Sequence, residues 1–291
     1  MDRLIDEFIS YISSEKGLSQ NTTQAYLRDL TRFYAYLKNR GLEDIQKVDE
    51  ETIIAHLAEL KTKNFESSSI ARALIALKVY FRFLKRENFI ERNPAYYLDN
   101  PKLWQTIPNI LSIEEIELVF KKPIIETEEG CRSLAIMEVL YGTGIRVSEL
   151  VSLNLYDVSD TFLKVKGKGR KERLTPLGSR ALLAIDRYLN CFRSLYDSEE
   201  EKALFVTSRG TRINRIMVWK MIKQYVKLAG ISKNISPHSL RHSFATHLID
   251  NGAEIRVIQE MMGHQNIGST DRYMHMSHSK LQEAFYAFHP R

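Results

Sequence analysis

His238 and Arg241 lie three residues apart in Ser236-Pro237-His238-Ser239-Leu240-Arg241-His242. Ser236 can cap a helix and Pro237 suits its first position. The two side chains then share a face in the first turns, where the helix dipole is positive and an anion such as phosphate is favoured. His238 and His242 also have the i, i+4 spacing of a metal pair. Ser239 stands where a zinc-protease helix has its glutamate, however, and no third ligand is near. Leu240, Phe244 and Leu248 mark a buried face, which predicts structural roles for His242 and His247.

Arg146 follows Tyr141-Gly142-Thr143-Gly144-Ile145, which reads as a loop entering a helix whose first turn holds the arginine. Alone it is an ion-pair partner for Glu149. Together with Arg241 it could fork onto one phosphate, because guanidinium presents paired N–H donors. Lys164, Lys166, Lys168, Arg170, Lys171 and Arg173 face only Glu172 in the next basic stretch. Phe162–Lys166 alternates apolar and polar, Gly167-Lys168-Gly169 can turn, and Arg170–Thr175 can return as the partner strand. Such a hairpin can simply be a solvated edge. The glycines flanking Lys168 also let its ammonium approach a DNA groove or phosphate closely. Gly263-His264 is followed nine residues later by Tyr273, one of fourteen tyrosines. Spacing alone does not separate it from a packing residue.

The elements that must position these groups divide the chain in two. Residues 1–92 read as a helical bundle, with apolar stripes at Leu4/Phe8/Ile12, Tyr26/Leu30/Phe33/Leu37, Ile53/Leu57/Leu60 and Ile70/Leu74/Leu77/Phe81/Leu84. Ser19-Gln20-Asn21 caps the second helix, Gly41 stops it, and Asn93-Pro94 stops the fourth. Residues 93–109 carry Pro94, Pro101 and Pro108, three of the seven prolines, and read as a linker. Ser112-Ile113-Glu114-Glu115 then opens residues 110–291 with a capping box. The expected fold is mainly α with one small β-hairpin.

The chain has 291 residues and a formal net charge of +6, in keeping with a polyanionic partner. Its two cysteines, Cys131 and Cys191, lack CxxC spacing, which argues against a disulfide framework. No signal-like start and no apolar run of membrane length is present, so the expectation is a cytoplasmic protein with no membrane partner.

Taken as an ordered set, Arg146 in TGxRxSEL, Lys168 in GKGxKER, His238-x-x-Arg241, Gly263-His264 and Tyr273 form one pattern. It resembles the tyrosine recombinases, or phage integrases, and within them the Xer subgroup, including the Phe288-His289-Pro290-Arg291 ending. Met261-Met262 and Ser269-Thr270-Asp271-Arg272 depart from the commoner local forms without removing a catalytic group. The resemblance implies an N-terminal core-binding domain and a C-terminal catalytic domain. It implies an active site of Arg146, Lys168, His238, Arg241 and His264, with Tyr273 as nucleophile forming a 3′-phosphotyrosyl link.

In that chemistry Arg146 and Arg241 offset phosphate charge, His238 is the base, His264 donates a hydrogen bond and Lys168 protonates the leaving 5′-oxygen. No metal and no nucleotide cofactor is needed. The partners implied are a double-stranded DNA recombination site, three further subunits in a tetrameric synaptic complex, a second related recombinase, and a DNA translocase as activator. Resolution of chromosome or plasmid dimers is the expected role. An integrase of a mobile element, a type IB topoisomerase and a DNA-binding regulator without catalysis are the competing readings. Leu281, Phe285 and Phe288 form a stripe that packs either on its own domain or, as in the family, on a neighbouring subunit. The second alternative predicts that deleting Leu281–Arg291 spares folding.

Overall fold

Three helices of the N-terminal half end in the same way. After Gln20–Asn39 (α2), the amides of Gly41 and Leu42 donate to the carbonyls of Lys38 and Leu37. After Glu50–Thr62 (α3), Asn64 and Phe65 donate to Lys61 and Leu60, and after Ser67–Arg86 (α4), Asn88 and Phe89 donate to Lys85 and Leu84. The turning residue has a positive φ each time, +70° at Gly41, 58° at Asn64 and 60° at Asn88. Glycine and asparagine tolerate that conformation best, and the following apolar residue covers the helix end. The fourth helix therefore stops at Arg86, closed by Asn88, and not at Asn93-Pro94 as the proline had suggested.

The computed structural model describes residues 2–99, 109–167, 172–196, 202–263 and 278–291. The chain forms two compact units, Met1–Thr106 and Ile107–Arg291. Among the described residues the structure is mostly helical, with one two-stranded antiparallel sheet. None of its helices is long and apolar enough to cross a membrane.

In the first unit, α2, α3 and α4 join Asp2–Ser14 (α1) around an aromatic core. The ring of Phe8 meets Tyr80 edge-on at 5.1 Å, and Phe33 meets Phe81 at 6.1 Å. The hydroxyls of Tyr34 and Tyr80 satisfy each other inside it. His56 is less well served. It is 2% exposed, packed on Phe33 and Tyr36, and neither ring nitrogen finds a hydrogen-bond partner among the described residues. Burial pushes its pKa down to about 4, against the opposing charge of Glu59. In the unfolded chain the ring takes up its proton near ~6.5. Stability should thus be full above that pH and fall by ~1.4 kcal/mol per pH unit as pH drops toward the native value. His56→Phe is expected to flatten this loss for the N-terminal unit; urea denaturation at pH 7.5 and pH 5 reads it, and an unchanged slope would refute it.

The second unit is built around Glu128–Thr143 (α6), whose residues from Gly130 to Thr143 are buried except Leu134. A helix buried on nearly all sides, with its buried charged groups Arg132 and Glu138 paired, belongs in the middle of a core. Ser179–Cys191 (α8) and Pro237–Asp250 (α10) pack against it, with Ile113–Phe120 (α5) and Arg215–Leu228 (α9) outside. The capping box at Ser112 forms, with the Glu115 carboxylate accepting from the Ser112 amide at 2.8 Å. Tyr141-Gly142-Thr143, expected as loop, continues α6, and only Gly144 turns the chain at φ +61°. A Cβ at Gly144 would lie 2.4 Å from Cδ1 of Phe244, so close contact as well as backbone conformation requires glycine there.

The hairpin pairs Phe162–Lys166 (β1) with Glu172–Pro176 (β2). Leu163 and Val165 point inward and are fully buried, and their partners across the ladder are Thr175 and Arg173. The connecting residues 168–171, Lys168 among them, lie outside the described residues, as do residues 264–277 with His264 and Tyr273.

Candidate active site

Arg146 follows the turn at Gly144 and caps the short helix Val147–Leu150 (α7). It thus stands one residue before the first turn in which it was expected. The Glu149 carboxylate reaches back, accepting from the Arg146 backbone amide at 2.7 Å and from its guanidinium at 3.1 Å. Arg146 remains 38% exposed at the side chain, whereas Glu149 is only 5% exposed. The same carboxylate receives both ends of the Arg173 fork, at 2.9 and 3.0 Å. Burial pushes the Glu149 carboxyl up, but the bonds and charges of Arg173 and Arg146 outweigh it and hold it below the usual carboxylate range.

Arg241 comes from the first turns of α10, whose start is set as expected by Ser236 at the cap and Pro237 after it. Its guanidinium is buried. It donates to the carbonyl of Gly144, tying α10 to the end of α6, and to the carbonyl of Met262 at 2.8 Å. Burial, then the nearby Arg146 charge, lowers its pKa to about 10, so it stays cationic at neutral pH. Met262 is the last residue of Ile255–Met262 (α11), and Gly263 follows it in the left-handed conformation. The Arg146 guanidinium also reaches this helix end, donating to the Gly263 carbonyl at 3.3 Å. A negative helix end is thus held by cations.

His238 is exposed one turn before Arg241. Burial of part of the ring, then the charges of His242, Arg241 and Arg146, push its pKa down. A neutral imidazole, able to accept a proton, is the form favoured at neutral pH. Arg146, His238, Arg241 and His242 line an open cleft of ≈ 450 Å³ together with the apolar Ile249, Ile255, Ile258 and Met262. His242 is therefore exposed in the cleft, not buried in the core as its neighbours Leu240 and Phe244 had suggested. Four residues after His238 on the helix, it falls on the His238 side. His247 is buried, with Nδ1 2.8 Å from the Tyr141 hydroxyl. Among the described residues no group of three His, Cys, Asp or Glu side chains could hold a metal ion.

The structure thus brings together three of the six residues singled out by the sequence, Arg146, His238 and Arg241. Lys168, His264 and Tyr273 belong to the stretches not described. Of the described residues that flank these stretches, Arg173 in β2, after the first, and Gly263, before the second, belong to the contacts of the site. Arg173 was read as one charge in a basic run and as the last residue of GKGxKER, with no role of its own at the site. Its position opposite Val165, on the inward side of the strand, was the available signal.

Residues 110–280 match the sequence profile described as the Phage integrase family, and residues 5–88 match that of the Phage integrase N-terminal SAM-like domain. This chain belongs to the phage integrase family. Within it the chain is a tyrosine recombinase of the Xer subgroup. It is 40% identical over 295 residues to "Tyrosine recombinase XerD" of Chlamydia trachomatis serovar D, covering 99% of this chain and 96% of that one. Its fold resembles a solved XerH site-specific recombinase bound to palindromic difH substrate in a post-cleavage complex, with TM-score 0.74, 21% identity, and coverage of 90% of this chain and 88% of that one. It also resembles a lambda integrase tetramer bound to a Holliday junction, with TM-score 0.72, 19% identity, and coverage of 94% and 80%. The recombinase has the mostly helical fold and the small antiparallel sheet expected from its sequence.

Proposed function

We propose that this Xer-type site-specific recombinase cuts and rejoins duplex DNA through a 3′-phosphotyrosyl bond to Tyr273, without metal or ATP. The observation that carries this reading is the convergence of Arg146, Arg241 and His238 on one cleft, with Arg146 held by the buried Glu149. Two guanidiniums stabilise the charge that gathers on the nonbridging oxygens as phosphorus becomes five-coordinate. Tyr273 attacks phosphorus and its phenolic proton passes to His238. The P–O5′ bond breaks, and Lys168 supplies the proton that makes the 5′-hydroxyl. His264 donates a hydrogen bond to the same phosphate. A 5′-hydroxyl from a partner strand then attacks the phosphotyrosine and releases Tyr273. One phosphodiester is exchanged for another, so the sequence needs no external energy source.

Residues 1–92 serve as the DNA core-binding domain, 93–109 as linker and 110–291 as catalytic domain. Two duplexes exchanged strand by strand require four active sites. The related proteins solved on DNA and as a tetramer support a synaptic tetramer here. A second related recombinase in that tetramer, a DNA-translocase activator, a cytoplasmic location and the resolution of chromosome or plasmid dimers complete the reading.

The test incubates the protein, in EDTA and without nucleotide, with labelled duplexes carrying candidate recombination sites nicked beside the cleavage point. The expected result is a protein-bound label on a denaturing gel, with peptide mapping that places the attached nucleotide on Tyr273. Attachment elsewhere would replace the nucleophile. Tight specific binding with no adduct would favour a regulator that binds DNA without cutting it.

A further inference from the structure

We infer that Arg173 is a further positioning residue of this active site, one that holds Glu149 and the end of α11 in place for Arg146 without contacting DNA. The inference rests on the recombination reading above. Arg173 differs from its basic neighbours in the hairpin. Lys164 and Glu172 pair with each other on the outer side at 2.9 Å, each nearly half exposed. Arg173 faces inward opposite Val165, and its side chain is 16% exposed.

All three of its guanidinium nitrogens are engaged. Two donate to the two oxygens of Glu149, and Nε donates to the carbonyl of Met261 at 3.2 Å. A Cβ built on Gly263 would lie 3.0 Å from both Cζ and Nε of Arg173, so the guanidinium lies against the glycine that ends α11. Three successive carbonyls are thereby held by three arginines. Arg173 takes Met261, Arg241 takes Met262, and Arg146 takes Gly263 with a longer bond to Met262 at 3.5 Å.

The consequence for Arg146 is geometric. Its guanidinium is oriented by Glu149, and Glu149 is oriented by the bidentate fork of Arg173. Without that fork the carboxylate can rotate toward Arg146 alone and draw it away from the cleft. The Met261 carbonyl loses its donor, and the end of α11 is released at the point where the chain continues to His264. Lysine keeps the charge but presents a single nitrogen with no planar fork, so Arg173→Lys separates charge from position.

The experiment compares wild type, Arg173→Lys and Arg173→Gln on the nicked duplexes, with Arg173→Ala added for chemical rescue. It measures affinity at fixed salt, the single-turnover rate of adduct formation, and the thermal midpoint. Both variants are expected to bind the site within about twofold of wild type. Adduct formation should slow by about 100-fold, the cost of a misplacement near one ångström. Arg173→Lys should restore little of it. Arg173→Ala supplied with millimolar guanidinium ion should recover at least part of the rate, because a free guanidinium can refill the fork. Lysine cleaving within about threefold of wild type would overturn the positioning role in favour of charge alone. Affinity falling in step with rate would make Arg173 a DNA contact and overturn it too. Absence of any adduct with wild type would strike the recombination reading itself, not Arg173.

Discussion

Glu149→Ala is expected to destabilise the catalytic unit by about 3–5 kcal/mol, the usual cost of removing one partner of a buried ion pair. Adduct formation should stop even at temperatures where the variant stays folded. The carboxylate is 5% exposed and satisfies the Arg146 amide, the Arg146 guanidinium and both arms of Arg173. Its removal leaves Arg146, Arg173 and Arg241 close together with no counter-charge among them, and Arg173 nearly buried. The loss differs from the loss of a surface pair, worth ~1 kcal/mol or less, because Glu149 is almost fully buried and Arg173 largely so, and solvent can rehydrate only Arg146. Since the native carboxyl is held below its usual range, it contributes stability above its unfolded pKa, and that contribution fades as pH falls through the native value. Acid titration of wild type should thus converge on the alanine variant. Urea denaturation at pH 7 and the nicked-duplex assay give the two readings; a midpoint equal to that of wild type would show that the two arginines find other partners.

The parts of this fold legible in the sequence are those whose causes are local. Ser112 and Ser236 cap helices because the hydroxyl and the amide three residues on are in the same turn. Gly41 ends α2 because the left-handed conformation and the apolar Leu42 are adjacent. The hairpin alternation predicts a buried face because the period of a strand is fixed. Even local signals compete, however. Asn88 closes α4 ahead of Asn93-Pro94, the stop that the proline had suggested.

What was not legible depends on contacts distant along the chain. Tyr141-Gly142-Thr143 looks like loop because glycine is a poor helix former, but full burial of α6 makes small side chains suitable there. His242 carries no mark of the cleft except its phase relative to His238, and that phase matters only once α11 lies alongside. Arg146, Arg241 and His238 could be grouped by resemblance, but the hold of Glu149 on Arg146, and of the Met262 and Gly263 carbonyls on the two arginines, is a property of packing. The separation of 24 positions from Glu149 to Arg173 hides their pairing from any short-range pattern.

Deleting Leu281–Arg291 is expected to unfold the catalytic unit while leaving the N-terminal unit its own transition, contrary to the expectation that the monomer would tolerate it. The helix His278–Phe288 (α12) packs on its own domain. Leu281 is 3% and Phe285 1% exposed, and the Phe285 ring comes within 3.1 Å of a Cβ built on Gly178. Beyond the helix, His289 stacks on Phe285 at 4.6 Å and borders Tyr141 and Phe244, the rings that back α6 and α10. Arg291 lies over Phe120 and pairs with Glu117 and Glu138. Burial pushes the Glu138 carboxyl up even with Arg291 beside it. Each buried apolar side chain removed costs about 2–5 kcal/mol, and a buried carboxylate left alone about 3–5 kcal/mol. The total, on the order of 10 kcal/mol, rivals the whole stability of a typical domain. Arg291→Met isolates the ion pair and should lose several kcal/mol while Leu281 and Phe285 stay in place. Two-step urea denaturation of the truncated protein decides the matter. A cooperative catalytic-unit transition near that of wild type would mean that the domain does not need the tail for its core, which would then be free to serve a neighbouring subunit.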